Sequence, residues 1–459
     1  MEIRTVTAIN ERQASRSAPT APGSLPLLGH ALRLARRPHQ FLSTLSALGP
    51  VVRIKIGGYL GYVVTEPGLI RKAFVTHSDQ GILAERTRPL TGEGVIVLQG
   101  QRHRQERRLI APAFAKARIA DYASVMARQG AECAQSWRDG QEILLNEEMH
   151  ELAVRTMAAT LFQGTLGAET AGHIHRLLPP VMTLLVRRGT RPAWTDRLPL
   201  PSNRRFEVML AELKAVTRTI ITSRRAELAA DPEHDPGDLL GALLQARDDE
   251  SGAMLSDTQV HDELLNFLVA GTQAAAATLA WIFHELSANP NVEAALHAEL
   301  DAVLTNGRPA EFADLERLDV TKRVVTESLR KYSPWLTLRQ ITEPTTLGDV
   351  EIPGGVLLFA CPIAVHRDPA FHPDPMRFDP DRWLPQNRAR MSPDTYIPFG
   401  MGARQCPGNV FALTQITLQI ATIAARWRFR TIPGSEVKEV AIGAFIQPTR
   451  MPMRAEARF

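Results

Sequence analysis

The residues best suited to chemistry lie in one loop near the C-terminal end, FGMGARQCPG at 399–408. The types that stand out are Phe399, Gly400, Gly402, Arg404, Cys406 and Gly408. Glycines let the backbone turn tightly and come close to a bulky group. A helix is expected to begin near Asn409, and the free N–H groups and dipole at a helix start favour a thiolate at Cys406. Arg404 adds positive charge that can hold an anion, and Phe399 can shield the sulfur from water.

Three roles are open for such a thiolate: nucleophile, zinc ligand or haem ligand. A nucleophile needs a nearby histidine base, and the sequence does not indicate one. Zinc needs more thiols at close spacing. Cys361, His366 and His372 supply only three ligands in a proline-rich coil, and we interpret that grouping as accidental. A lone cysteine is usually a buried, inert thiol, but the complete loop pattern argues against that interpretation.

A second stretch with chemical interest is uncharged, LLNFLVAGTQAAAATLAWIF at 264–283. Its length would allow a membrane span. However, acidic residues precede it, a histidine and a glutamate follow it, and the Lys/Arg bias of a span is missing. The pattern therefore predicts a helix buried within a large soluble protein. Its polar residues then need partners or a ligand-lined cavity: Asn266, Thr272, Gln273 and Thr278.

The whole chain has the composition of a globular protein with a large core. It has 459 residues, of which 44% are apolar and 22% charged, and its formal net charge is +4. No basic run with interleaved aromatic residues points to nucleic acid. Three widely spaced cysteines argue against a disulfide framework and favour a reducing compartment. We expect residues 1–22 to be a disordered arm without signal peptide or anchor, followed by one cytoplasmic domain at 23–459.

Periodicity predicts a mainly α protein with a minor β portion at both ends. A hairpin is predicted over 51–66. Loops are expected at 77–100 and 187–205, and short strands, a Pro/Asp-rich coil and a last helix are expected after Pro334. Long helices are predicted over 102–138, 142–163, 203–231 and 257–288.

These motifs together resemble the cytochrome P450 family, the haem-thiolate monooxygenases, over nearly the whole chain. The resemblance implies the P450 fold, a single large helical domain with small β-sheets. It also implies haem b between the long central helix and the cysteine loop, and no bound flavin or NAD(P)H. The role of axial iron ligand for Cys406 is carried over from the family.

Two further sets of residues match family positions. ESLR at 327–330 fits the motif E-x-x-R, and with Arg382 it implies a buried triad of Glu327, Arg330 and Arg382 that supports the coil under the haem. Cations at positions that contact the haem propionates in the family form the second set, since several cations around two carboxylates make electrostatic sense. They are His103, where the family often has Trp, Arg107, Arg339 and Arg404.

The central helix departs from the family at the positions that handle oxygen. Ala270 and Gly271 fit the pattern and should allow a local widening where dioxygen sits. Gln273 replaces the usual acid and Ala274 the usual threonine, and neither side chain can supply a proton near neutral pH. Three outcomes stay open. Water or a substrate hydroxyl replaces the relay; the protein uses peroxide or performs a non-oxygenating rearrangement; or it is a haem-binding or sensing protein.

The resemblance also implies a substrate pocket and an external electron donor. The pocket would be formed by 77–100, 187–205, 267–275 and the mostly apolar residues Trp335, Leu336, Leu338, Phe445 and Ile446. Apolar lining and the segment PLPSNRRF at 199–206 favour a small-to-medium hydrophobic substrate, with a terpenoid of secondary metabolism slightly preferred.

No reductase domain follows Phe459, so we expect a separate ferredoxin or flavodoxin with its reductase. This donor would be attracted by Arg104, Arg108 and Arg426 on the thiolate side, to a protein that is a monomer without membrane anchor.

Overall fold

The computed structural model describes residues 17–459 except 78, 80, 163–167, 190–192, 232–236 and 249–251. The α-helices are α1 Ala31–Arg36, α2 Pro38–Ser43, α3 Pro67–Thr76, α4 Ile82–Thr91, α5 Gly100–Ile110, α6 Lys116–Gln135, α7 Leu145–Leu161, α8 Ala168–Gly189, α9 Pro201–Ala230, α10 Leu239–Gln245, α11 Asp257–Ala288, α12 Pro290–Val303, α13 Asp319–Lys331, α14 Pro362–His366, α15 Pro385–Arg388 and α16 Asn409–Ala424. The strands are β1 Val51–Ile56, β2 Tyr59–Val64, β3 Glu142–Leu144, β4 Thr337–Ile341, β5 Thr345–Leu347, β6 Val350–Ile352, β7 Val356–Ala360, β8 Trp427–Thr431, β9 Glu439–Ile442, β10 Phe445–Pro448 and β11 Pro452–Ala457.

Helices form the body, and the strands form small sheets beside it, so the predicted fold class is confirmed. The largest sheet has the order β1-β2-β7-β4, and a second has the order β3-β11-β8. Two further pairs are β9 with β10 and β5 with β6. The predicted hairpin over 51–66 is confirmed, with Val51 opposite Val64 and Ile56 opposite Tyr59.

Helix α11 runs through the middle of the body and has the predicted bounds. Its start is fixed by a capping box, in which the side chain of Ser256 accepts from the backbone of Gln259 and the side chain of Gln259 returns a contact to Ser256. It is the one helix in the described part of the chain long and apolar enough to cross a membrane, yet 72% of its apolar window is buried inside the protein. This burial supports the interpretation as a core helix.

Several predicted element bounds are wrong. The loop predicted at 77–100 contains helix α4, which lies between Gly81 and Gly92, both with positive φ. The helix predicted over 102–138 is interrupted by a 3₁₀ turn at Ala111–Phe114, because Pro112 removes a backbone donor there. The helix predicted from 142 starts only at Leu145, since β3 occupies the preceding residues.

The loop predicted at 187–205 is also mostly helical. It contains the end of α8, a 3₁₀ turn at Ala193–Arg197 and the start of α9, while 190–192 lie outside the described residues.

The described end of the expected disordered arm is ordered. Ala18 and Ala21 are buried. The backbone of Ala21 donates to the carbonyl of Arg53 at 2.9 Å, and Arg53 donates back to Pro19 at 2.8 Å. Residues 17–22 therefore extend the edge of the largest sheet, whereas 1–16 lie outside the described residues.

Candidate functional site

The cysteine loop is held in a tight conformation by its own backbone. The amide of Cys406 donates to the carbonyl of Phe399 at 2.9 Å, and Gln405 donates to Gly402 at 3.0 Å. Gly400 and Gly402 both have positive φ, at 68° and 69°. A Cβ on Gly402 would lie 2.6 Å from the backbone oxygen of Phe74 in α3, so only glycine fits there without a shift. The loop thus brings the sulfur to a fixed place directly before α16.

The local electrostatics of Cys406 differ from the expectation. Burial raises the pKa of the Cys406 thiol, and a hydrogen bond from the Gly408 backbone and the charge of Arg107 oppose this rise only in part. The backbone at the start of α16 acts in the expected direction, since the Gly408 hydrogen bond lowers the pKa of the thiol, but burial has the larger effect. Because a buried thiolate needs a compensating charge, this sulfur suits a ligand that places a cation against it.

The four predicted propionate-binding side chains form one electrostatic cluster. Burial, followed by the charges of Arg404 and Arg107, lowers the pKa of His103 to about 4. Burial and then Arg404 lower the pKa of Arg339 to about 10. Burial also lowers the pKa of Arg404 to about 10, with Asp79 opposing the shift. Three arginines with lowered pKa values, beside an imidazole that is neutral near pH 7 and able to donate a hydrogen bond, are suited to bind an anion with more than one carboxylate.

Hydrogen bonds to backbone carbonyls fix the orientation of two of these arginines. Arg404 donates to the carbonyl of Val95 at 3.0 Å and also to Leu98. Arg339 donates to the carbonyls of His77 at 3.1 Å and Leu338 at 2.7 Å, and its guanidinium lies 4.6 Å from the Phe74 ring centre. The segment between α4 and α5 is therefore tied to the cysteine loop through Arg404.

The face of α11 that carries the unusual residues is open, although most of the helix is buried. Ala270 is exposed and Gln273 and Ala274 are half-buried. Their spacing of three and four residues places them on one face of the helix. Neither nearby threonine replaces the missing alcohol, because Thr272 donates to the carbonyl of Leu268 at 2.9 Å and Thr278 donates to that of Ala274 at 2.8 Å.

The expected widening at Gly271 is not observed. The helix is continuous through Ala270 and Gly271. A Cβ on Gly271 would lie 2.0 Å from the terminal methyl of Met157, so the glycine makes room for α7 on the closed side of the helix. Gly271 therefore serves helix packing in this structure.

A hydrogen bond that the sequence did not reveal joins the open face to the C-terminal hairpin. The side-chain amide of Gln447 in β10 donates to the side-chain oxygen of Gln273. Two indoles hold the same hairpin: Trp281 donates to the carbonyl of Ile446 at 3.1 Å, and Trp335 donates to that of Gly443 at 2.9 Å. The hairpin formed by β9 and β10 is thus pinned beside the open face of α11.

The predicted pocket residues fall into two groups. Trp335, Leu336 and Phe445 are half-buried, with surface left to contact a ligand. Leu338 and Ile446 are buried in the main core cluster, and their contact with a substrate stays a prediction. Of the predicted pocket segments, residues 78, 80 and 190–192 lie outside the described residues.

The predicted triad is assembled around a fully buried carboxylate. Arg330 donates to both oxygens of Glu327, at 2.9 and 2.8 Å, and both side chains are inaccessible to solvent. Arg382 lies 3.6 Å from Glu327, as an ion pair rather than a hydrogen bond. The indole of Trp383 donates to Glu327 at 2.8 Å, and the backbone of Asp379 donates at 3.0 Å. Trp383 is adjacent to Arg382 in sequence, yet nothing in the sequence signalled this role.

Arg330 also reaches into the coil. It donates to the carbonyls of His366 and Pro375, at 2.7 and 2.8 Å. Through this residue the helix α13 supports the segment that leads to the cysteine loop.

The three arginines predicted to attract the electron donor lie in different environments. Arg108 is paired with Asp248 at 3.1 Å, whereas Arg104 is exposed. Arg426 follows the C-terminal end of α16, whose 16 residues span about 24 Å at 1.5 Å per residue. Arg426 is therefore separated from the cysteine loop by the length of α16, and its part in a docking surface with Arg104 stays a prediction.

The rival metal grouping is not supported. Cys361 is buried, and His366 accepts a hydrogen bond from the backbone of Ile397 at 2.8 Å. Among the residues that the structure describes, no group of three or more His, Cys, Asp or Glu side chains is placed to hold a metal ion.

Comparisons with known proteins define the class. The sequence pattern of the family described as Cytochrome P450 matches residues 19–453, so the chain belongs to the cytochrome P450 family. It is accordingly a P450-type oxidoreductase, a monooxygenase with haem as its cofactor. The crystal structure of the cytochrome P450DA heme domain superposes with a TM-score of 0.86 at 24% identity, covering 97% of this chain and 98% of that one.

Two relatives come from Streptomyces. Cyclooctatin synthase of Streptomyces melanosporofaciens is 40% identical over 91% of each chain. Pentalenene oxygenase of Streptomyces avermitilis is 37% identical over 96% of this chain and 98% of the relative.

The residues present fit a haem. A sulfur that needs a compensating cation lies beside a cluster of cations that needs anions, and the open face of α11 carries only small or polar side chains there. Cys406 would hold the iron, and His103, Arg107, Arg339 and Arg404 would hold the propionates.

Proposed function

We propose that this protein hydroxylates or otherwise oxidises a terpenoid with dioxygen and electrons from a separate ferredoxin or flavodoxin. The observation that carries the proposal is the likeness, over more than nine tenths of the chain, to Streptomyces relatives named for cyclooctatin and pentalenene. Half-buried apolar surface on Trp335, Leu336 and Phe445 supports a hydrophobic substrate. A third relative, 39% identical, is named cyclooctat-9-en-7-ol 5-monooxygenase.

The chain's own residues would bind and orient rather than react. When bound, the haem supplies the redox chemistry of the reaction. One oxygen atom of dioxygen is inserted into a C–H bond to give an alcohol, and two electrons and two protons reduce the other oxygen atom to water. Cys406 would fix the iron, the cation cluster would neutralise the propionates, and the carboxylate of Glu327 would brace the coil through Arg330. Pinning of the hairpin by Trp281 and Trp335 would keep the pocket wall in place.

Proton delivery must differ from that of the usual family site. Gln273 accepts from Gln447 and cannot release a proton near neutral pH, and Ala274 has no polar group. We propose that bound water or a substrate hydroxyl carries the protons. The competing proposal is a protein that works with peroxide or catalyses a non-oxygenating rearrangement, and the missing acid and alcohol are what favour it. A haem sensor without turnover is the non-enzymatic alternative.

The electron donor would approach on the side of the sulfur. Arg104, exposed on α5, supports attraction of an acidic partner, and a formal net charge of +4 agrees with it. We propose a cytoplasmic monomer whose catalytic domain spans 17–459, because residues 17–22 pair with the largest sheet. Its rate of reduction by ferredoxin should fall as salt rises, because exposed charges are screened; a rate that ignores ionic strength contradicts this docking surface.

Product analysis tests the function. The haem-loaded protein is incubated with NAD(P)H, a ferredoxin, its reductase and a panel of cyclic sesquiterpenes and diterpenes. We expect a product heavier by one oxygen atom, and none from Cys406→Ala. Ala274→Thr should raise the product formed per NAD(P)H consumed if the relay is only weakened. Peroxide-driven turnover far above the partner-driven rate would exclude the monooxygenase proposal, and turnover of no terpenoid would exclude the substrate class.

A further inference from the structure

We propose that the amide pair of Gln273 and Gln447 binds a hydroxyl group of the substrate, so that the protein acts on a terpenoid that already carries oxygen. This inference rests on the proposed function and narrows its substrate class. The pair joins two elements 174 residues apart in the chain, α11 and β10, and both side chains are half-buried.

The two glutamines lie at an otherwise apolar surface. Side chains alternate along a strand, so Gln447 shares a face of β10 with Phe445 and not with the buried Ile446. On the helix, Gln273 shares its face with Ala270 and lies next to Ala274. The pair is therefore a single polar element among aromatic and small apolar side chains.

Only two of the four polar groups of the two amides take part in the hydrogen bond between them. Each amide has a carbonyl oxygen that accepts and an NH₂ group that donates. Gln447 donates to the oxygen of Gln273, which leaves the NH₂ of Gln273 and the oxygen of Gln447. Among the described residues, no side chain or backbone group bonds to either of these two.

One free donor and one free acceptor on two bonded amides match a hydroxyl group, which both donates and accepts. The substrate oxygen would accept from the NH₂ of Gln273 while its hydrogen is donated to Gln447. A hydrocarbon leaves both groups without partners when it excludes water, and that mismatch disfavours it. A carboxylate would meet the oxygen of Gln447 and be repelled.

The position of the hydroxyl has two consequences. It places the substrate oxygen next to Ala274, where the family usually has a threonine; its hydrogen is held by Gln447, and its second lone pair can accept from a water that takes part in proton delivery. It also places this enzyme after another reaction, because an earlier step must have introduced the hydroxyl group into the substrate. That step is an earlier oxygenation, or a cyclisation that ends by adding water to a carbocation.

Matched ligand pairs test the proposal by binding alone. Cedrol is compared with cedrane, and abietadienol with abietadiene, by substrate-induced change in the haem spectrum and by quenching of tryptophan fluorescence. We expect each alcohol to bind about three- to tenfold more tightly than its hydrocarbon, the worth of one or two net hydrogen bonds. Gln273→Leu and Gln447→Leu should each abolish this preference while hydrocarbon binding is kept, and the double variant should add nothing. Gln40→Leu, at an exposed glutamine of α2, is the matched control.

The outcomes separate the two proposals. Tight binding of hydrocarbons and alcohols alike in the unmodified protein overturns the inference but leaves terpenoid oxidation standing. A preference for alcohols that survives Gln447→Leu also overturns it. Failure of both ligand classes to bind contradicts the proposed function, and the inference with it.

Discussion

The carboxylate of Glu327 accepts hydrogen bonds from Arg330, Trp383 and the backbone of Asp379 while fully buried. We expect Glu327→Gln to leave the Arg330 charge uncompensated and to cost about 3–5 kcal/mol of unfolding free energy. Trp383→Phe removes a single bond to a charged acceptor and should cost about 1.5 kcal/mol. Urea unfolding and haem retention are measured for both variants. Equal decreases in unfolding free energy would show that the uncompensated charge of Arg330 is not the main cause of destabilisation.

His297 of α12 provides a pH-dependent prediction. Burial, and then the charge of Arg458, lower its pKa from 6.5 to about 4. As the pH falls, His297 is therefore protonated near pH 6.5 in the unfolded chain but only near pH 4 in the folded chain. The stability contributed by neutral His297 is present above pH 6.5 and is lost as the pH falls toward 4.

His297→Gln should accordingly reduce the decrease in unfolding free energy between pH 6.5 and pH 4. Urea midpoints of the variant and the parent are compared at pH 7.5 and pH 5. We expect the variant to gain relative to the parent only at pH 5. The same difference at both pH values would mean that the substitution acts through packing.

Among the structural elements, the cysteine loop offers a matched pair of glycines. Gly400 and Gly402 both have positive φ, but a Cβ would meet nothing at Gly400 and backbone atoms of α3 at Gly402. Gly400→Ala should therefore cost only the left-handed conformation, about 1–2 kcal/mol. Gly402→Ala adds a backbone clash and should also lower haem content. Thermal unfolding and haem absorbance report the two effects, and identical behaviour of the variants would refute the close approach of the loop to α3.

Element bounds were predictable where a local signal existed. The uncharged run and the Ser256 cap define α11 without tertiary information. The interruption between α5 and α6 also had a signal, Pro112, which the helical periodicity on both sides obscured. Helix α4 lies between two glycines and contains Pro89, and these residues are typical of a loop. Strand β3 is only three residues long and is defined by its partner β11, so local pattern could not reveal it.

For the site, motif spacing predicted the contact between Glu327 and Arg330 that the structure contains, while the role of Cys406 as iron ligand stays a prediction. It could not find Gln447 or Trp383, because their roles arise from contacts with Gln273 and Glu327 that only the folded chain makes.

At the scale of the whole molecule, distant parts of the chain meet in one small sheet. Strand β11 pairs with β3 on one side and β8 on the other. We expect removal of 452–459 to abolish haem binding and soluble expression, because β3 and β8 then lose their shared neighbour and the buried Met453 is absent. Removal of Phe459 alone, which is 82% exposed, should change neither property. Soluble yield and the carbon-monoxide spectrum are the measurements, and a folded 1–451 fragment would contradict the prediction.

The central place of β11 bears on how the protein is made. A ribosome that has translated as far as β8 has produced the cysteine loop and every helix, yet the sheet still lacks its middle strand. The sheet that joins β3 to β8 can therefore form only after the residues up to Ala457 have been synthesised.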